Sequence, residues 1–565
     1  MRILGVSAHY HDSAAALLDG DRVYAACEER FTRLKHDPGL PINAISFCLR
    51  EADIIGEELD LVAIHEKPLR KLKRFVSDCF RTFPFSYSYF RRALPVWLGR
   101  KCSPELSIAS ELRTDCRFAY VGHHLSHAAS AYYPSAFEEA AVLTVDAVGE
   151  AYTTCTGIGK GESVVLDRGV RFPNSLGMFY SAMTYLLGFE VMDGEGKVMG
   201  LAAHGEPGYR RQVGELIRLN DDGSFALDMR YFQFDRSTRM VSPRLEKLIF
   251  PRRRPDEPIE QRHKDLAATA QQVLEEALIS IVTNLRRRSG QKNLCIAGGV
   301  GLNTVANGRI LENGGFDDIF IQPAAGDSGC SLGAALYASC KLLGRPRPRP
   351  MVSDRLGPAF REGSIARFLE VRKLPFKRLG EEETLSTVAR RLADNKVVGW
   401  FQGKMEFGPR ALGGRSILAN PINPQMKNIV NSKVKFREPF RPFAASVPAE
   451  VAHDYFEHGV ASPFMMLVFK VRPEKQNDIP SVTHLDGTCR TQTVTRECDQ
   501  KYHSLLLEFG RLTGVPVLLN TSFNLKGEPI VCTPRDALKC FMESGMDCLA
   551  MENIFIEKQS TDEST

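Results

Sequence analysis

Two histidines four residues apart, His123 and His127, stand in the stretch GHHLSHAASAYY, whose Ala and Ser content favours a helix. On a helix that spacing turns both imidazoles to one face, so both can point toward one ion. Downstream, Val142 to Val145 reads as a buried apolar strand. Asp146 falls where that strand gives way to a small-residue turn, a place where open α/β sheets present functional side chains. A carboxylate there would complete the half-site. The competing reading makes the histidines ordinary core or helix-surface residues and Asp146 a turn cap.

A second carboxylate is on offer at Asp327. In IFIQPAAGDSGCSLGAALYA a strand runs into Ala-Gly-Asp-Ser-Gly and then a small-residue helix. NLCIAGGVGLNTVANGRI has the same plan: its Gly298-Gly299 turn lets backbone approach a nucleotide, and Asn303 and Asn307 fall on one face of the helix that follows. Two strand ends of this kind belong to the ATP-binding half of the actin, sugar-kinase and heat-shock-ATPase architecture. Near the amino terminus, SAHYHDS places His11 at a strand-end bend that can present an imidazole to a cleft, with a capping role as the alternative. EERFTRLKHD gathers Arg30, Arg33, Lys35 and His36, either as a solvated basic turn or as a substrate-anchoring arm. MDGEGKVMGLAAHGEPGY reads as a glycine-rich loop in which Lys197 could add charge to an anion site, or as a plain connector.

The carboxy-terminal third carries a different chemistry. Lys404, Arg410 and Arg415 lie in VVGWFQGKMEFGPRALGGRSILANP, and Lys433, Lys435, Arg437 and Arg441 in KVKFREPFRPFAASV. Arg490 follows in CRTQTV, and a buried strand ends in Asn520, Thr521, Ser522 and Asn524. Guanidinium forks match phosphoryl and carboxylate oxygens two at a time, so this set suits a pocket for phosphates and a planar carbonyl-amide group. The Gly and Pro flanks argue against a merely solvated basic face, which needs no special backbone geometry.

The elements that must position these groups are legible in part. RILGV opens a strand, and AAALLDGDRVYAACEE has the pattern of a hairpin turning at Asp19-Gly20-Asp21. CTGIGKGESVVLDRGVRF reads as a second strand pair turning at Gly159-Lys160-Gly161, and FPNSLGMFYSAMTYLLGF as an apolar-faced helix. The clearest long helix is Asp265 to Arg288. Lys67 to Lys101 mixes aromatic and basic residues broken by Pro84 and Pro95, and reads as an insertion covering a cleft where acceptor specificity could reside, in preference to a surface that stacks nucleic-acid bases. GRPRPRP, from Gly344 to Pro350, is a stiff extended linker and the best domain boundary.

Composition bounds the rest. A chain of 565 residues exceeds what one hydrophobic core organises, and about two to four domains are expected. Hydrophobic residues at 43% and charged residues at 25% leave disorder to the terminal QSTDEST. The net charge of +5, from 73 basic and 68 acidic residues, is too small to imply nucleic acid. The 14 cysteines form no C-x-x-C pair, the first residues lack the continuous apolar core expected of a signal peptide because His9, His11 and Asp12 interrupt it, and no run approaches about 18 apolar residues. The expectation is a cytoplasmic protein with reduced thiols and no membrane partner.

Ten ordered motifs (HDSAAAL, EERFTR, HHLSHAASAYY, KVMGLAAHG, GGVGLN, GDSG, EFGPRALGGRSILA, FREPFRPFAASV, RTQTV and NTSFNLKGEPIV) resemble the O-carbamoyltransferases of nodulation factors, tobramycin, novobiocin and cephalosporin hydroxymethyl groups. The resemblance spans nearly the whole chain. It implies a mixed α/β protein of two parts. Over 1–345 it implies an actin-like, ribonuclease-H-like lobe similar to tRNA threonylcarbamoyl transferase, and over 352–565 a YrdC-like α/β domain. The second part would make carbamoyladenylate from carbamoyl phosphate and ATP. The first would pass the carbamoyl group to a hydroxyl of a small-molecule acceptor, a natural product or glycan of the kind met in antibiotic biosynthesis.

Carried over by motif, His123, His127, Asp146 and Asp327 would hold iron(II) or a similar divalent metal touching the nucleotide phosphate, with Mg²⁺ left open as a further ion. Lys197, Gly299, Asn303 and Asp146 would serve the nucleotide, His11 would be the general base and Lys35 would lie near the acceptor. An imidazole with an ordinary pKa of about 6.5 accepts a proton near neutral pH. Arg410, Lys435, Arg441, Arg490, Asn520 and Ser522 would line the carbamoyl phosphate and ATP pocket. Some members have an acidic residue two before the catalytic histidine, suited to an aminoglycoside. Here that position is His9, which argues against a polyamine-like acceptor. A homodimer is left open. The alternatives from other classes are an actin-like small-molecule kinase and a nucleotide-gated binding protein.

Overall fold

The computed structural model describes residues 1–97, 102–457 and 460–558, so the terminal QSTDEST and residues 98–101 lie outside the described residues. The chain is mixed α/β and divides into two compact units, one of Met1–Glu28 with His36–Met351, the other of Glu29–Lys35 with Val352–Thr565.

The first unit holds two five-stranded sheets. β1 (Arg2–Ser7), β2 (Ala14–Asp19), β3 (Arg22–Cys27), β4 (Leu61–Ile64) and β5 (Arg117–Tyr120) are ordered β3-β2-β1-β4-β5. β2 and β3 form the expected hairpin, Asp19 pairing with Arg22 across Gly20, whose φ of 61° is the left-handed value the tight turn requires. The second sheet contains β6 (Glu139–Gly149), β7 (Tyr152–Lys160) and β8 (Ser163–Arg171). After a short ribbon of β9 (Ile217–Leu219) and β10 (Phe225–Leu227) come β11 (Asn293–Ala297) and β12 (Asp318–Ile321), giving the order β12-β11-β6-β7-β8. β7 runs on through Lys160, so the β7–β8 turn falls at Gly161-Glu162, one step later than the sequence pattern places it.

The helix His123–Tyr132 packs against the helix Gly329–Tyr337, and the contact is possible because position 333 has no side chain. A Cβ at Gly333 would lie 1.8 Å from Ser126 O. This close approach brings the two histidines of one helix to the amino-terminal end of the other, beside Asp327. The long helix is Gln261–Ser289, longer than the expected span at both ends, and buries Leu266, Val273, Ala277, Ile281 and Leu285 on one face before Gly290 caps it at φ 69°.

Residues 344–350 carry no regular structure, yet they are tied down. Arg347 donates to the carbonyls of Tyr132, Tyr133, Ser135 and Phe137 and stacks 4.2 Å from the Tyr132 ring centroid. The linker read from the prolines is thus a strap fixed to the first unit by one guanidinium, a long-range contact that local composition does not disclose.

The second unit is built on a nine-stranded sheet of β13 (Lys377–Arg378), β14 (Val398–Phe401), β15 (Arg415–Ala419), β16 (Ala444–Pro448), β17 (Leu467–Lys470), β18 (Thr488–Val494), β19 (Leu518–Ser522), β20 (Cys548–Met551) and β21 (Ile554–Glu557), in the order β13-β21-β20-β14-β15-β19-β16-β18-β17. The helices Glu381–Ala393 and Gln500–Thr513 cover it, enclosing Trp400, Leu418, Tyr502, Phe509 and Leu518. The central strands β15, β19, β16 and β18 deliver Arg415, Ser522, Ala444 and Arg490 near their ends, and a parallel β16–β18 pair sets Arg490 opposite Ala444.

Candidate functional site

In the first unit the helix beginning at His123 presents the Nε2 atoms of His123 and His127 to two carboxylates. His123 Nε2 lies 2.9 Å from Asp146 Oδ2 and 3.7 Å from Asp327 Oδ1, and His127 Nε2 lies 3.5 and 3.4 Å from the same atoms. Asp146 does not end its strand, as the sequence pattern suggests. β6 continues to Gly149 through a register shift after Val145, and the parallel pairing with β11 stops at Thr144. The bulge redirects the carboxylate toward the space where β11 gives way to its turn, a geometry that a run of apolar residues cannot announce.

That turn needs Gly298. Its φ is 98°, and a Cβ would stand 2.2 Å from Val145 O. It brings the Gly299 amide to Asp146 Oδ1 at 3.3 Å. Asn303 caps the next helix by accepting from Ala306 N and exchanges two hydrogen bonds with Gln271 on the long helix. Lys197 is on the helix Glu195–Ala202 rather than in a glycine-rich loop, with its ammonium 5.8 Å from the Phe189 ring. Packing against the long helix Gln261–Ser289 outweighs the glycines, so the segment is helical.

Both oxygens of Asp327, both ring nitrogens of His127 and Nδ1 of His123 are buried without a hydrogen-bond partner. Buried polar atoms rarely stay so, and two carboxylates facing one space repel each other. Burial raises Asp146 and Asp327, but His123 and His127 more than offset this for Asp146, and Asp327 is held down by His11 and His123 against Asp146. The donor set, two imidazoles and two carboxylates, fits a divalent cation of the transition-metal type. Cys330 Sγ also lies within 4.8 Å of ligand atoms of His123, His127 and Asp327, a neighbour the spacing argument missed.

His11 stands beside this group, its Nε2 3.8 Å from Asp327 Oδ2. Asp12 takes the other ring nitrogen, Nδ1, at 3.0 Å and also accepts from His36 Nδ1 at 2.7 Å. Burial lowers the His11 pKa, but Asp327 and Asp12 outweigh it and hold the imidazole up at about 9 rather than near 6.5. A cation on Asp327 would offset the largest single raising influence. A cleft of about 440 Å³ opens over His11, lined also by His9, Tyr10, His36, Val96 and Met192.

The second unit holds the basic group. Burial pushes the Arg410 guanidinium well below its ordinary value, with Arg490 and Arg441 adding to the effect. Arg490 is lowered to about 10 by burial and by Arg441. Arg437 joins them, lowered by burial, Arg441 and Arg490. Glu438 offsets Arg437 and Arg441 in part. Half-buried guanidiniums held together against their mutual repulsion form a seat for a polyanion.

Lys435 is held among neutral oxygens, donating to Ser522 O at 2.8 Å, Asn524 O at 3.0 Å and Asn524 Oδ1 at 2.6 Å. Burial lowers its ammonium well below the ordinary value, and Arg437, Arg441 and Lys35 lower it further. Lys35 is thus on the second unit's segment Glu29–Lys35, within electrostatic reach of Lys435. Asn520 donates to Ala411 O, Ser446 Oγ and Gln492 Oε1, and so fixes the backbone next to Arg410. Arg415 stands apart from the basic group. It donates to the carbonyls of Gln402, Gly403, Gly414 and Pro358 and supports the turn. Asn524 and Arg437 were legible as motif members, but nothing in spacing marks them as neighbours of Lys435 and Arg490.

Each of the two compact units carries one cluster of titratable side chains, histidines and carboxylates in the first and arginines with Lys435 in the second. The chain belongs to the carbamoyltransferase family: residues 2–336 match the family model described as Carbamoyltransferase N-terminus and residues 389–558 the one described as Carbamoyltransferase C-terminus. It is an enzyme that transfers carbamoyl groups. Among its relatives, the uncharacterized protein sll1178 of Synechocystis sp. is 43% identical, over 98% of this chain and 96% of that one. Nodulation protein NolNO of Sinorhizobium fredii is 38% identical, over 97% of this chain and 79% of that one. Among solved structures, HypF of T. kodakarensis covers 61% of this chain and 48% of its own, with 14% identity and a TM-score of 0.33, too low to carry an argument. Among the described residues no helix is long and apolar enough to cross a membrane.

Proposed function

We propose that this protein is an ATP-dependent O-carbamoyltransferase whose second unit, a YrdC-like domain in this reading, makes carbamoyladenylate. Its first unit, an actin-like lobe, transfers the carbamoyl group to a hydroxyl of a small-molecule acceptor. The observation that carries the reading is the half-buried cluster of Arg410, Arg437, Arg441 and Arg490 beside the buried Lys435, cations close enough to repel one another, a repulsion that a polyanionic occupant would relieve.

The balance of atoms sets the order of steps. Carbamoyl phosphate and water give carbamate and phosphate. A carbamate oxygen then attacks the α-phosphorus of ATP, displacing pyrophosphate and leaving carbamoyladenylate. Finally the acceptor oxygen bonds to the carbamoyl carbon, the bond to the adenylate oxygen breaks, and AMP leaves. The guanidiniums of the second unit bind and orient the phosphates, and Lys435, preset by Ser522 and Asn524, contributes a point charge.

In the first unit His11 takes the acceptor's proton at Nε2, its Nδ1 being engaged by Asp12. Asp146 and the Gly299 amide orient the nucleotide end of the substrate. A divalent ion of the iron(II) type, held by His123, His127, Asp146 and Asp327, would supply Lewis acidity toward the phosphate leaving group. Incubation with ATP and carbamoyl phosphate tests the reading: pyrophosphate and phosphate released together, each dependent on both substrates, support it. ATP consumption that ignores carbamoyl phosphate contradicts it.

A further inference from the structure

The chain enters its second unit once before the linker. Glu29–Lys35 belongs to that unit, while Glu28 before it and His36 after it belong to the first. The helical turn Glu29–Thr32 and the residue after it bring two guanidiniums and a phenyl ring with them. Arg30, buried, donates through Nη2 to Gly408 O at 2.8 Å, and its Nη1 lies 3.0 Å from Glu29 Oε1. Arg33, in the left-handed conformation at φ 61°, donates through Nη1 to Ile530 O and through Nη2 to Pro529 O, both at 2.7 Å. Phe31 packs on Met405, Ile530 and Cys532.

These contacts fall on two loops of the second unit. One is the turn from Gly403 to Gly414 that carries Arg410. Asp354 O fixes it at Phe407 N, Asn520 fixes it at Ala411 O and Gln492 at Leu412 O. Arg30 adds the anchor at Gly408, two residues from Arg410. The other loop leaves β19 at Ser522, where Ser522 and Asn524 seat Lys435. Asn524 Nδ2 ties it to Glu528 O, and Arg33 takes the next two carbonyls. Charged donors to buried carbonyls make strong, directional bonds, so each arginine fixes the backbone it reaches.

We propose that Arg30 and Arg33 are positioning residues of the donor site: one turn of the amino-terminal chain sets the loop of Arg410 and the loop that cages Lys435. The assignment rests on the donor reading given above. A consequence is that residues 352–565 do not contain the whole adenylate-forming site, because a seven-residue piece of it lies more than three hundred residues upstream.

The test is a double-variant cycle in the full-length enzyme, reading carbamoyl-phosphate-dependent exchange of pyrophosphate into ATP. Arg30→Ala is expected to lower kcat/KM for carbamoyl phosphate by about 10- to 100-fold, chiefly through KM, as a misplaced binding group does. In an Arg410→Ala background the same change should cost less than about threefold, since the group it positions is already gone. Arg33→Ala, at a partly exposed side chain, should show the same non-additivity with Lys435→Ala. Parent rates in the single variants, or losses that multiply in both double variants, overturn the assignment. A parent enzyme without any exchange overturns the donor reading itself and takes this inference with it, whereas a working parent with multiplying losses overturns this inference alone.

Discussion

Asp12 and His11, adjacent in the chain, face each other through their side chains: Asp12 Oδ2 lies 3.0 Å from His11 Nδ1. The backbone makes this possible by placing Asp12 at φ 58°, a left-handed conformation that lets neighbouring side chains meet. With Nδ1 so engaged, Nε2 is the ring atom directed at the cleft and at Asp327. His11→Asn should therefore still form carbamoyladenylate while transfer to a hydroxyl falls by about 10² to 10⁴-fold, the usual worth of general-base catalysis. Pyrophosphate release and mass spectrometry of the carbamoylated acceptor measure the two steps separately. Transfer near the parent rate would remove His11 from the role.

His127 has both ring nitrogens buried without hydrogen-bond partners, between two carboxylates. Its replacement by Ala should lower bound divalent metal, read by elemental analysis of the purified protein, and lower transfer with it, while adenylate formation in the second unit persists. The expected loss of metal affinity is at least about 10-fold, since even outer partners of metal ligands are worth 10- to 100-fold. Full metal content in the variant would take the ion out of the account.

What was legible in the sequence is what short-range physics encodes. The Asp19-Gly20 hairpin, the helix that carries His123 and His127 four apart, and the strand-turn-helix around Gly298 all follow from local patterns. What was not legible depends on partners far along the chain. Asp146 is aimed by a bulge in β6, Arg347 by carbonyls about 210 residues away, and Arg30 by Gly408, 378 residues on. Lys197 was misplaced because three glycines in a short stretch outweighed the helical residues between them, and tertiary packing decided otherwise. Ten ordered motifs pointed to the family more surely than any single spacing pointed to a role.

Asp354 offers a test of the second unit's electrostatics. Burial, and then Glu406 close by, raise its carboxyl well above the ordinary carboxylate value, and its Oδ2 has no hydrogen-bond partner. A raised acid favours the folded state fully only below its unfolded pKa of about 3.9, and that contribution is lost as pH rises through the folded value. Asp354→Asn keeps the shape and abolishes the titration. Its stability relative to the parent should therefore rise as pH climbs from about 4 toward neutrality, and denaturant melts across that range read the difference. A difference independent of pH, or one that grows in the acid direction, would contradict the shift.

The central claim is that donor activation and group transfer are separate chemistries in separate units, and Arg490 tests it most directly. Its guanidinium lies among Arg410, Arg437 and Arg441, with Nε buried and without a hydrogen-bond partner. Arg490→Ala, given ATP, carbamoyl phosphate and a hydroxyl acceptor, should release pyrophosphate at least about 100-fold more slowly than the parent, in line with the loss of one preorganised contact to developing charge. The same variant, supplied with carbamoyladenylate, should transfer the carbamoyl group at the parent rate. Transfer that fails even with the adenylate supplied, or pyrophosphate release that is unimpaired, would contradict the account.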